Sequence, residues 1–360
     1  MAAAPLSTVV REWGRIGVVG FGGPPAHIAL LRELVVDRRG WLSAREFEDA
    51  NAACGLLPGP ASTQMAIYCA GRAGGRAGAL LGGLAFIAPG LALVLVLAAF
   101  ALSDHPPAWV RGLGAGAAAA VVPVIVQAGL RLGRSAVRGA RGLVYLAAGA
   151  AGVVVTGAGV VGVLLACGGL ELAWQRRSRG AGVHVWPLAL AWTAFKVGAL
   201  SFGGGFVIIP LMHADAVTAH GWMSGAQFAD AVAYGQLTPG PVTHTVALVG
   251  WAAGGLPGAL LAAAVAFAPS FILVLALGGR FGALRESPLA RAFLDGAGPA
   301  AVGAILGAAV PLAGALTQPW QFVVLALAAL ALLARAPVAW VLAAGALAGL
   351  AAAALGLRLS

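Results

Sequence analysis

The stretch Leu56-Leu57-Pro58-Gly59-Pro60-Ala61-Ser62 comes back as Leu237-Thr238-Pro239-Gly240-Pro241-Val242-Thr243, 181 residues further along a chain of 360. Around it the same offset pairs Phe21-Gly22-Gly23 with Phe202-Gly203-Gly204, Trp41 with Trp222, Phe47 with Phe228 and Asp49 with Asp230. Farther on the offset slips to 180, matching Gly78-Ala79-Leu80-Leu81 to Gly258-Ala259-Leu260-Leu261 and Ala88-Pro89 to Ala268-Pro269. The chain is therefore a duplication in which one residue has been lost between the copies. A solenoid would repeat every 20 to 50 residues or so. One repeat of half the chain, in a very apolar sequence, points instead to the doubled architecture of secondary transporters.

Composition narrows the class. The chain is 61% hydrophobic and only 9% charged, with a mean hydropathy of +0.94, whereas a soluble domain carries about 25% charged residues. Runs such as Ala77 to Leu102, Gly112 to Leu130 and Leu256 to Leu277 are long enough to cross a bilayer as helices. The short alternating strands of a membrane barrel are absent from the sequence. The expected fold is an all-α polytopic membrane protein. Its net charge of +10 comes from arginines at the ends of apolar segments, where they set topology, so nucleic acid is not an expected partner. Arg11, Glu12 and Arg15 interrupt the first apolar region, which argues against a cleavable leader. Cys54, Cys69 and Cys167 lack metal-ligand spacing and read as small buried residues; neither a metal nor a cofactor is expected.

The first apolar segment, Leu6 to Leu31, is broken at Phe21-Gly22-Gly23-Pro24-Pro25, and a charged surface loop with Trp41 follows, from Arg32 to Arg45. Ser43, with Glu46 three residues on, caps a helix running to about Gly55, and a second short helix starts at Pro60 and ends near Gly71. Thirteen residues span roughly 20 Å against about 30 Å of hydrocarbon, so the pair reads as a re-entrant hairpin with Pro-Gly-Pro at its tip. Spans over about Ala77 to Leu102 and Trp109 to Leu130 follow, then a short helix pair within Leu143 to Trp174. The second half repeats this plan: a broken helix from Trp186 to Leu211, a hairpin from about Met223 to Gly250, spans from Leu256 and Leu289, and an apolar pair from Gln321. Residues 1–175 form one repeat, 176–185 a basic linker and 186–360 the second repeat.

Charge sets the relative orientation of the copies. Arg32 to Arg45 holds four arginines and Arg131 to Arg141 four, while their counterparts His213 to Ala226 and Leu312 to Trp320 hold no Lys or Arg. Ser103 to Arg111 holds one, against three in Arg280 to Arg291. Opposite bias in matching loops places the copies on opposite sides of the membrane, as inverted-topology repeats.

In order and spacing, found twice, these motifs resemble the chromate ion transporter family in its long, two-domain form. The resemblance rests on Phe21-Gly22-Gly23-Pro24 and Phe202-Gly203-Gly204-Gly205, on Gly40-Trp41-Leu42 and Gly221-Trp222-Met223, and on Leu57 to Pro60, where Thr238 replaces the leucine in the second copy. It covers nearly the whole chain. It implies a secondary transporter of the bacterial cytoplasmic membrane that exports chromate and confers resistance to it, driven by a proton or other ion gradient. Sulfate, alike in charge and shape, is the chemically similar anion. A sulfate or other oxyanion transporter and an anion channel are the alternatives; the lipid bilayer is the expected surrounding, and a homodimer is a candidate assembly. No catalytic motif of an enzyme is present in the sequence.

A tetrahedral dianion crossing a membrane needs donors in place of water. Helix N-termini at Pro60 and Pro241 would aim N–H groups inward from opposite sides, with Ser62, Thr63 and Gln64, and Thr243, His244 and Thr245, in their first turns. The tips Gly59 and Gly240 and the break glycines Gly22, Gly23, Gly203 and Gly204 complete this candidate set. Lys196, the only lysine, and Arg15 occupy equivalent positions six residues before Phe202 and Phe21. An intramembrane cation is a candidate ligand, although long side chains also snorkel to the interface. Asp49 and Asp230 are candidate proton carriers or ion-pair partners of Arg15 and Lys196. His213, His220 and His105 fall in expected loops, and His27 lies near the first break.

Overall fold

The computed structural model describes residues 4–21, 23–57, 59–137, 139–156, 186–201, 208–278 and 288–359. Expectations for Gly22, Gly203, Gly204, Cys167, the linker 176–185 and the second helix before Trp174 lie outside these residues, as does most of the basic stretch Arg280 to Arg291. All regular structure among the described residues is helical. The first half contains α1 (Leu6–Val19), α2 (Pro24–Arg32), α3 (Ala44–Leu56), α4 (Ala61–Ala101), α5 (Ala108–Ala136) and α6 (Gly139–Thr156). The second contains α7 (Trp186–Ala199), α8 (Ile208–His213), α9 (Gly225–Leu237), α10 (Thr245–Leu277), α11 (Pro288–Gly314), α12 (Pro319–Leu333) and α13 (Val338–Ala354). Among the described residues four stretches are long and apolar enough to cross a bilayer, within Ala61–Ala101, Ala108–Arg134, Val242–Leu277 and Asp295–Gly314, and shorter apolar helices accompany them. The chain is a polytopic membrane protein.

Local chemistry explains the shared elements. Ser43 and Ser224 both cap their helices, accepting from the N–H groups of Glu46 and Gln227. At the second cap Gln227 also accepts from the Ser224 N–H, closing a capping box. Each helix ends at its Pro-Gly-Pro tip, where a proline cannot donate to the preceding turn. The returning arm does not stop near Gly71. It continues helically to a break at Gly74-Gly75, and the second copy breaks at Gly254-Gly255, with φ of 67° at Gly75 and 59° at Gly255. The stretches read as surface loops carry π-helical turns at Glu33–Arg38 and Ala214–Ala219, again 181 residues apart. In each, an N–H reaches back five residues, from Arg39 to Leu34 and from His220 to Asp215. His213 therefore ends a helix, its ring edge-on to Phe228, and is not a loop residue.

Close backbone approach holds the helices together. Gly17 of α1 abuts the Phe86 carbonyl on α4, and Gly198 of α7 abuts the Ala266 carbonyl on α10, a contact repeated at corresponding positions. Gly112 and Gly116 of α5 meet Gly345 and Gly349 of α13, two small-xxx-small pairs face to face. A Cβ at any of these positions would collide with backbone. Trp13 is fully buried, and its indole N–H donates to the Ala66 carbonyl at 2.8 Å, tying α1 to the returning hairpin arm.

Candidate functional site

The two hairpin tips meet elements of the opposite half. A Cβ at Gly59 would lie 3.1 Å from the Ser270 hydroxyl and 3.3 Å from the Gly198 carbonyl, both in the second half. The Gly240 N–H donates to the Gly20 carbonyl at 3.0 Å, in the first. Both tip glycines have positive φ, 122° at Gly59 and 92° at Gly240, which a side chain would strain.

Between the two hairpins lies a cavity of about 500 Å³. The N-terminus of α2 at Gly23-Pro24-Pro25 forms one wall, with Asn51 of α3 and Ala61 and Ser62 at the start of α4. Gly235, Gln236, Thr238, Gly240 and Val242 form the facing wall. Helix α5 adds Gln127, Ala128 and Arg131, and α13 adds Val338, Ala339 and Leu342. Arg131 has no ion-pair partner among the described residues. A guanidinium at the mouth, amides on the walls and the orphan N–H groups at the start of α4 make an anion-accepting set.

The sequence-derived candidates divide by position. Ser62 and Gly240 line the cavity, as does Gly23, which caps α2 with φ of 73°. Pro60 caps α4 and Pro241 precedes the short 3-10 turn Val242–His244. Thr63 and Thr243 are fully buried, and neither hydroxyl has a hydrogen-bond partner among the described residues. His244 is also fully buried, its ring against Phe267 and Gly90, with both nitrogens lacking a well-formed hydrogen bond.

Lys196 and Arg15 do not join them. The Lys196 ammonium pairs with Asp215 at 2.5 Å, both side chains only 13% and 10% exposed, and the Thr193 hydroxyl donates to the same carboxylate oxygen at 2.7 Å. Arg15 is exposed on the outer face of α1, so the two equivalent positions have diverged in surroundings. In the first half the corresponding tie runs from Glu12, equivalent to Thr193, to Arg39 at 2.6 Å. The suggested pairing of Asp230 with Lys196 is not formed. Asp230 faces a second cavity of about 350 Å³ together with Arg111, Gln227 and Gln321. Its carboxylate lies against Gly114, beside the Tyr234 hydroxyl that donates to the Val110 carbonyl. Asp49 is half-buried on α3 and lines neither cavity.

Arg131, Gln127, Asn51, Gln236 and Asp215 were not singled out by sequence reasoning. Gln127 carried a signal, being the one amide in the apolar run 112–130. Asp215 carried another, as one of four acids in the second half available to a lone lysine.

The family model for "Chromate transporter" matches residues 7–172 and again 188–350. The chain belongs to the chromate transporter family. A chromate transport protein of Cupriavidus metallidurans is 32% identical over 354 residues, covering 92% of this chain and 88% of its own. One from Pseudomonas aeruginosa is 30% identical, over 83% of this chain and 79% of its own. A probable chromate transport protein of Synechococcus elongatus is 29% identical, over 86% and 85%. No solved structure gives a significant match to this transporter.

Proposed function

We propose that this transporter exports chromate across a bacterial cytoplasmic membrane and that the cavity between the two hairpins is its anion site. The observation that carries the reading is the convergence there of Arg131, which has no ion pair among the described residues, with Gln127, Gln236, Ser62 and the start of α4. The relatives named chromate transport proteins supply the substrate. Thr63, Thr243 and His244, buried behind the tips with unsatisfied polar atoms, are the reserve of donors as the anion moves inward. Lys196 acts at one remove, holding α7 to the π-helical turn through Asp215. Asp230, open to the second cavity, is the preferred proton carrier over Asp49. The two repeats, 1–175 and 186–360, lie inverted in the membrane. Outward movement of a dianion is favoured in a cell negative inside, by about 2.3 kcal/mol per charge for each 100 mV.

The test is uptake of labelled chromate into inside-out vesicles, with and without an imposed proton gradient and with sulfate as competitor. Uptake that responds to the gradient supports coupled export. Flux that ignores every imposed gradient while following the chromate gradient alone would make the protein a channel.

A further inference from the structure

His27 sits on α2, fully buried beside the cavity, and its ring joins three segments. Nε2 lies 2.8 Å from the Gly20 carbonyl, and Nδ1 lies 3.2 Å from the Ser62 hydroxyl. The Gly20 carbonyl also accepts from the Gly240 N–H of the second hairpin. A carbonyl can only accept, so Nε2 must carry a proton. In the neutral ring Nδ1 is then bare, and the Ser62 hydroxyl donates to it. Ser62 lines the cavity, so its hydrogen is turned away from any anion there, leaving lone pairs to face the guest.

A second proton reverses this arrangement. With Nδ1–H present the ring donates to Ser62, and the freed hydroxyl hydrogen can rotate into the cavity. We propose that His27 is a proton-binding site linked to the anion: protonating it turns Ser62 from a donor to the ring into a donor to the cavity anion. The inference rests on the cavity being the anion site.

The surroundings favour this linkage. Against the ring stand the Gly20 carbonyl at the end of α1, and Ser62 and Phe86 of α4, the Phe86 ring T-shaped to it; Gly240 of the second hairpin bonds the same carbonyl, and His244 of that hairpin is the nearby titratable group. The carboxylates on elements packed against α2 have cationic partners elsewhere: Glu12 has Arg39, Asp37 and Glu48 have Arg32, and Glu46 has Arg72. Glu33 in the π-helical turn and Asp49 on α3 are the other carboxylates on these elements. An imidazolium here would be a buried cation with no ion-pair partner among the described residues, and a dianion in the cavity supplies one. Arg131 opposite would share it. The device belongs to one repeat only, since the position equivalent to His27 is Ile208.

The experiment measures chromate affinity and net proton uptake on binding, from about pH 6 to 8, with purified full-length protein. Chromate's own protonation is common to all variants, so the difference between wild type and His27→Gln reports the ring. Gln can keep both bonds, donating to Gly20 and accepting from Ser62, but cannot take the second proton. Wild type should take up close to one more proton per anion than His27→Gln, and its affinity should fall more steeply with rising pH, by up to about tenfold per unit. Ser62→Ala should weaken binding several-fold at the acid end and little at the alkaline end. Equal proton uptake by wild type and His27→Gln would overturn the inference, as would unchanged acid-end affinity in Ser62→Ala. If chromate protects a thiol at Ala128→Cys while wild type takes up no extra proton, the cavity assignment stands and the His27 linkage falls. If chromate binds without protecting that thiol, both fall.

Discussion

Lys196 has a partner in the fold that the sequence does not point to. A lone lysine inside an apolar helix demands a counter-charge, and the sequence offered the anion or an equivalent aspartate. The fold supplies Asp215, from a segment that read as a loop and is a π-helical turn. Lys196→Met should therefore lower membrane abundance and transport, because it strands a buried carboxylate at a cost of about 3–5 kcal/mol. The double variant Lys196→Met/Asp215→Asn should recover most of the transport per molecule. Transport normalised to abundance checks this, and a double variant that is abundant but inactive would return Lys196 to the anion site. Arg131 was hidden for the opposite reason. One of four arginines in a basic stretch looks like a topology signal, and only the packing of α5 beside the hairpins brings it to the cavity.

Among the elements, the hairpins were the most legible. Capping serines, the Pro-Gly-Pro stops and the helix start after Pro60 are local, and each copy checked the other. The returning arm runs a few residues past Gly71, where the sequence ends it, because Arg72 and Arg76 interrupt the apolar run without ending the helix, which breaks only at Gly74-Gly75, where Gly75 takes a positive φ. Gly240→Val should abolish transport while the protein still inserts. The residue would take on φ of 92°, and its Cβ would press on His244 at 2.9 Å, in a tip bonded to the other half. Gly59→Val should act alike, its Cβ meeting the Gln64 amide at 2.6 Å. Transport per inserted molecule checks both, and wild-type rates in either variant would reduce that tip to a connector.

At the scale of the whole molecule, duplication and membrane class follow from pattern and composition, but the cavity does not. It joins residues from 23 to 342, and no periodicity records that α5 and α13 close one side of it through their facing glycines. The inverted arrangement makes its own prediction. Single cysteines placed in the loops 103–107 and 315–318 should label from the same side, and one near Arg134 from the other. Pro106 and Thr317 already border a common cavity. Labelling of all three from outside intact cells would contradict the inversion.

The central claim, that the anion sits between the hairpins against Arg131, is tested most directly by protection of Ala128→Cys. Cys54, Cys69 and Cys167 are first replaced, and a charged thiol reagent is applied with and without chromate. Chromate should slow modification in a concentration-dependent way. Adding Arg131→Gln should shift the protecting concentration upward by about 10- to 100-fold, the loss expected for one charge-assisted contact. Modification at the same rate with and without saturating chromate, in a variant that still transports it, would place the anion elsewhere.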